Sequence, residues 1–211
     1  MEHYKFSVGL ANATEIPAIA AIFTDSFQES VLHHCGRIPD PQAMEDVFTL
    51  VYEAEKTAAF VARDEAGRVI GYCFAPAQLS AMWKKAVLGG YLLQWAWRWL
   101  TGRYGIGLHP VKVLFFNKLA FLRSALTPAK AADARILSIA VMTAWHDHGV
   151  AGALMDLADR YFRSQNVRRV RLEVRPDNEA AIRLYRHKGY VAGGITQDSQ
   201  GPWLILFKEM E

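Results

Sequence analysis

The chain is short of cysteine, and it shows no repeat or low-complexity stretch. Cys35 and Cys73 are its only cysteines among 211 residues. No basic–apolar–small pattern opens the sequence, so a secreted disulfide scaffold is excluded and two free thiols in a reducing cytoplasm are expected. Apolar residues make up 52% of the whole, which excludes a disordered chain. The longest apolar stretch, Ala86 to Leu100, is interrupted by Gln94 and Arg98 and falls short of the roughly 20 residues that a spanning helix needs. One further absence is local. No Asp or Glu occurs from Gly67 to Ala132, although the chain carries 21 of them. The same stretch holds Arg68, Lys84, Lys85, Arg98, Arg103, Lys112, Lys118, Arg123 and Lys130, so it is a segment apart.

The length suits one domain, 1–211, with room for a full core and one insertion. Tyr4–Leu10 reads as a strand. Ile16, Ile19, Ala20, Phe23 and Phe27 share one helical face after a cap at Asn12 or Thr14. Cys35–Pro41 reads as a loop and Gln42–Lys56 as a second helix. Ala58–Arg63 and Val69–Ala75 are predicted strands joined by the turn Asp64-Glu65-Ala66-Gly67. The basic segment at about 79–132 carries Trp83, Trp95, Trp97 and Trp99 and reads as two or three helices broken at Gly102–Gly107 and near Pro110. Then follow a strand at Arg135–Val141, apolar on both faces, a helix at Gly149–Gln165, a strand at Arg169–Val174, a helix at Asn178–Lys188 and a closing strand at Trp203–Lys208. The pattern is that of an α/β fold.

Two places carry chemistry. After Val141 the chain reads Met142-Thr143-Ala144-Trp145-His146-Asp147-His148-Gly149-Val150-Ala151-Gly152. A strand feeding a helix through a Gly-containing loop leaves the first helical amides unpaired, and those amides suit a diphosphate. An ordinary strand-to-helix turn has the same composition. The second place is Leu172-Glu173-Val174-Arg175-Pro176-Asp177-Asn178, followed by Ala181, Leu184-Tyr185 and Gly189-Tyr190. It sets a carboxylate at a strand end and a phenol on the next helix. Transfer of an acyl group to an amine needs the neutral amine, which a base supplies, and expels a thiolate, which an acid can protonate. Glu173 could equally be a solvated partner of Arg171 or Arg175, Tyr185 a core residue, and Asn178 a helix cap.

These two motifs resemble the GNAT superfamily of acyl-CoA-dependent N-acetyltransferases, and the second is similar to that of the ribosomal-protein alanine N-acetyltransferases. The resemblance implies a mixed, mostly antiparallel sheet flanked by helices, with a helical insertion between the third and fourth strands. It implies acetyl-CoA as co-substrate and an amine as acceptor. The family's diphosphate loop is Arg or Gln, two residues, Gly, one residue, then Gly or Ala. Here Gly149 and Ala151 match, while His146 replaces Arg/Gln and Asp147 stands where glycine is common. The resemblance assigns the diphosphate to His146, Asp147, His148, Gly149, Val150 and Ala151, and the pantetheine arm to Ile139, Ala140, Val141 and Asn178. By the same resemblance Glu173 is the base and Tyr185 the acid. Tyr190 stands where Phe is usual.

Competing readings are a non-catalytic acyl-CoA sensor on the same fold, or a membrane- or partner-docking protein that works through the insertion. The insertion itself could be a lid over the acceptor, a homodimer surface, an interfacial helix on an anionic membrane, or a subdomain that buries its tryptophans. A nucleic-acid partner is not expected of a chain with net charge +3. No metal is expected. His146 and His148 at i, i+2 do not share a helix face, and His33-His34-Cys35 reads as a loop between helices.

Overall fold

The computed structural model describes residues 5–105 and 132–210. The first strand, β1 (Phe6–Leu10), leads into a capping box in which Asn12 Oδ1 accepts from Thr14 N and Glu15 Oε2 accepts from Asn12 N at 2.8 Å. Glu15 also accepts from Arg63 Nε at 2.6 Å, which ties this start to the next strand. Helix α1 (Ile16–Ser26) buries Ile16, Ile19, Ala20 and Ile22. A second helix, α2 (Gln28–Cys35), follows at once and stops at Gly36, where φ is +75°. Its polar composition hides it in the sequence, and His33-His34-Cys35 therefore closes a helix instead of lying in a loop. Asp40 caps α3 (Pro41–Ala54) by accepting from Gln42 N at 3.0 Å.

Strands β2 (Ala59–Asp64) and β3 (Val69–Phe74) form a hairpin. Its turn is fixed by Asp64, which accepts from the amides of Ala66 and Arg68, and by Gly67 at φ +77°. Two helices of the insertion follow, α4 (Leu79–Leu88) and α5 (Tyr91–Leu100), joined by Gly89-Gly90. Positive φ at Gly90, +74°, makes that turn. Lys85 pairs with Glu53, and Arg98 and Tyr104 both bond Asp46, so the pair of helices is fastened along α3. The break foreseen near Pro110 lies outside the described residues, as do Lys112, Lys118, Arg123 and Lys130.

The extended segment expected at Arg135–Val141 is interrupted. It runs as β4 (Ala134–Arg135) and β5 (Ser138–Val141) in two different sheets. The first sheet has the order β1-β2-β3-β5 and is antiparallel throughout. The second joins β4, β6 (Arg169–Val174), β8 (Gly201–Glu209) and β7 (Val191–Asp198) in that order, with β4 parallel to β6. Ile136 N still donates to Arg171 O at 3.0 Å, whereas Leu137 N donates to Phe74 O at 2.8 Å. Arg135 N already donates to Pro76 O at 3.3 Å, so the chain bonds the β3 side and the β6 side in alternation over 135–137, and beyond Ile136 β5 and β6 diverge.

Helix α6 (Val150–Ser164) buries Val150, Leu154, Met155, Ala158, Asp159 and Phe162 against one side of this framework. Leu154, Met155 and Phe162 are fully enclosed, each contributing about 1.5–3 kcal/mol of apolar burial. Asp159 is admitted by an ion pair with Lys208 Nζ at 2.5 Å. The same core takes in Cys73, Leu172, Val174 and, from α7 (Glu179–His187), Ile182 and Tyr185. A second core on the opposite side packs α1 and α3 against Val61, Tyr72, Phe74 and Ala140. The chain closes with β7 (Val191–Asp198) and β8 (Gly201–Glu209). Strand β7 escapes sequence reading because Gly193-Gly194 breaks its alternation at a bulge. A Cβ at Gly193 would stand 2.1 Å from the Phe207 ring, so the ring takes the place of a side chain there.

Candidate active site

The divergence of β5 from β6 decides the geometry. By the β4–β6 register, Arg171 is level with Arg135, and Glu173 lies two residues further on, just past the branch. Where the strands have separated, main-chain groups of β5 no longer meet a neighbour on that side. In the β3–β5 ladder Ala140 is paired with Tyr72, and Met142 N donates to Ile70 O at 2.8 Å. Two-residue alternation then turns the main chain of Ala140 toward β3 and that of Ile139 and Val141 toward the opening. Val141 O accepts from His146 Nε2 at 2.9 Å. Of the three residues expected to line an arm lying here, Ile139 keeps both main-chain groups on the open side and Val141 lends its carbonyl to His146.

The loop after β5 ends at Gly149, the N-cap of α6, with φ +80° and no side chain capping the helix. The first bond back to it is Ala153 N to Gly149 O, 3.0 Å. The amides of Val150, Ala151 and Gly152 are therefore the ones no earlier turn can receive, at the positive end of a helix of 15 residues. Asp147 has φ +62°. That explains why glycine suits this position and why aspartate, which tolerates the left-handed region better than most residues, can replace it. Both Asp147 and His148 are exposed. His148 packs edge-on to Trp145, and His146 points back at β5, so the three side chains do not converge. His33 and His34 bond Ser199 and the Ser30 carbonyl respectively. Among the described residues no group of three His, Cys, Asp or Glu could hold a metal ion.

Glu173 and Tyr185 lie on different faces of β6. Val170, Leu172 and Val174 face the core shared with Tyr185, so Arg171 and Glu173 face the other way. Glu173 Oε1 accepts from Arg171 at 2.5 Å and lies 3.5 Å from Arg135. Arg171 is the partner foreseen as an alternative, whereas Arg175 stacks on Trp203 at 4.1 Å and donates to Pro202 O. Arg135 is the residue that sequence reading missed. Its register opposite Arg171 was the available signal, and only the parallel pairing reveals it. Tyr185 is buried, and that burial, with the Cys73 thiol nearby, pushes its phenol above the ordinary value. It is thus neutral at any physiological pH and able to donate. Asn178 is the cap of α7, its Oδ1 accepting from Ala181 N at 3.1 Å, which leaves its amide nitrogen as a donor. Cys73 is fully buried and its thiol is pushed up by the same desolvation.

Comparison with known proteins bears on the family and the fold. The model of the acetyltransferase (GNAT) family matches residues 16–190. No curated protein matches the chain. Solved structures match over nearly its whole length. That of SsHAT superposes with a TM-score of 0.72 at 20% identity, covering 98% of this chain and 99% of the other. Ard1 from Thermoplasma volcanium gives 0.60 at 20% identity, covering 98% of each. A ribosomal-protein-alanine N-acetyltransferase from Brucella melitensis gives 0.60 at 15%, covering 96% and 99%. At these identities the structures speak for the fold.

Proposed function

The chain belongs to the GNAT acetyltransferase family and is an acyl-CoA-dependent acetyltransferase, and on that footing we propose that it transfers an acetyl group from acetyl-CoA to a primary amine by direct attack, with both substrates bound together. The observation that carries this reading is the opening between β5 and β6 beside an uncapped α6 N-terminus. The amides of Val150, Ala151 and Gly152 suit a diphosphate, with Gly149 allowing close approach and Asp147 and His148 turned to solvent. Ile139 and Val141 would meet the pantetheine arm as a neighbouring strand would, and the Asn178 amide nitrogen could donate to it. Acetyl-CoA supplies the activated thioester.

The remaining chemistry belongs to side chains. Tyr185, protonated and buried, would donate to the departing sulfur. Glu173, on the opposite face of β6, would accept the amine proton. Because Arg171 and Arg135 engage its carboxylate, it would act on the amine through a water or by exchanging an ion-pair partner. An acyl-enzyme is disfavoured, since Cys73 is enclosed and its thiol is held protonated by burial and by the Asp159 charge.

Calorimetry with acetyl-CoA, followed by thiol release over a panel of peptide amino termini, lysines, polyamines and amino sugars, tests the proposal. Binding with acceptor-dependent thiol release is the expected result. Binding without release from any amine would leave a coenzyme sensor, and no heat from CoA or its thioesters would remove the coenzyme site.

A further inference from the structure

The inner and outer sides of the α4–α5 pair differ in kind. On the inner side Lys85 meets Glu53, Arg98 meets Asp46, and Ala86 is buried. On the outer side Leu93, Trp97 and Leu100 recur at i, i+4 and i+7 along α5 and are 79%, 66% and 72% exposed. Leu92 joins them, and Val87 and Leu88 extend the surface across the Gly89-Gly90 turn, with Leu88 84% exposed. Six large exposed apolar side chains thus lie on two consecutive helices. Single exposed leucines need no explanation, but six large apolar side chains exposed between Val87 and Leu100 do. The helices do not need this face to hold their position, because the ion pairs to α3 do that on the other side.

The charges around the surface indicate what it meets. Lys84 and Arg103 are exposed at its two ends. No acid occurs anywhere from Gly67 to Ala132 to offset them. A two-fold dimer through this face would set each cationic rim against its own copy, with no carboxylate from the segment to receive it. An anionic bilayer supplies the complement to both features: acyl chains for the leucines, the headgroup boundary for the Trp97 indole, and lipid phosphates for Lys84 and Arg103. Among the described residues no helix is long and apolar enough to cross a membrane, so contact of this kind lies in the plane of the surface.

We infer that the outward face of α4–α5 docks the protein on anionic lipid bilayers. This is independent of the acceptor and of the roles given to Glu173 and Tyr185.

The test is co-sedimentation of the full chain with vesicles of phosphatidylcholine alone and of equimolar phosphatidylcholine and phosphatidylglycerol. Binding to the anionic vesicles that weakens as salt is added is expected. The double variant Leu93→Gln/Trp97→Gln should lower that binding about tenfold or more. Lys84→Gln/Arg103→Gln should lower it about tenfold at low salt and flatten its salt dependence. Both variants should melt like the parent and acetylate a soluble amine at the parental rate. No preference for anionic vesicles, or equal binding by the Leu93/Trp97 variant, overturns the inference. So does a dimer in sedimentation velocity that this variant converts to monomer, since the face would then be a protein interface.

Discussion

Tyr185 and Glu173 are distinguished by what surrounds them, and substitution should separate their parts. Tyr185→Phe removes one hydroxyl from an enclosed ring that keeps its packing. We expect kcat to fall about tenfold to a hundredfold with acetyl-CoA affinity unchanged in calorimetry. A parental kcat would leave Tyr185 a core residue only. Glu173→Gln removes the charge that Arg171 and Arg135 share. If the carboxylate takes the amine proton, the loss in kcat/KM should be largest at low pH, where little free amine is present, and should shrink as pH rises toward the pKa of the amine. A loss uniform across pH would assign Glu173 to holding the two arginines. The sequence brought these residues into view through the resemblance of the Leu172–Tyr190 motif to that of the GNAT enzymes. It also marked Asn178 as a cap, which it is. It could not show that Glu173 and Tyr185 occupy opposite faces of β6, because that depends on which core Leu172 and Val174 join. Nor could it show the role of Arg135, which depends on a parallel register between strands more than thirty residues apart.

At the scale of elements, the long amphipathic pieces were legible and the short or irregular ones were not. Helix α6 begins and ends within a residue of its expected limits because Leu154, Ala158 and Tyr161 recur at helical spacing. Helix α2 has eight mostly polar residues and one buried apolar one, Val31, and its hold on the β7–β8 hairpin runs through Ser30 to Gln200 and His33 to Ser199. Contacts of that kind leave no periodic trace. Strand β7 is obscured by Gly193, whose lack of a side chain is what lets Phe207 close against it. Gly193→Ala should therefore cost about 1–3 kcal/mol, read as a lowered midpoint in urea with unchanged slope. An unchanged midpoint would mean that the ring or the bulge shifts freely.

For the molecule as a whole, the enclosed acids set how stability responds to alkali. Cys73, Tyr72, Tyr185 and Tyr190 are all buried, and desolvation raises each above its ordinary value of 9.0 for the thiol and 10.0 for the phenols. In the unfolded chain these groups lose protons first. Above about pH 9 the unfolded state then binds fewer protons than the folded one, and stability falls as pH rises. Their contribution is complete below that point. Thermal melts should thus hold steady through neutrality and drop from pH 9 to 11, the thiol acting before the phenols. In Cys73→Ala the onset should move upward toward pH 10, and an identical profile would place the alkaline loss elsewhere. The overall architecture was open to sequence reading because the order of its elements follows the resemblance of its carboxyl-terminal half. The division into two sheets was not, since Arg135–Val141 looks like one uninterrupted strand until its partners are known.

That division has a bearing on how the resting protein breathes. Past the Ile136–Leu137 link and the Arg135 N to Pro76 O bond at 3.3 Å, no ladder pairs β5 with β6 among the described residues. The amide of Ile139, turned to the open side, has no ladder to shield it, whereas that of Ala140, paired with β3, does. In deuterium exchange, neighbouring residues on one strand should label at rates differing by orders of magnitude, with Ile139 fast and Ala140 slow. Adding CoA should bring Ile139 down toward its neighbour, because the ligand would complete the seam that the polypeptide leaves unsewn.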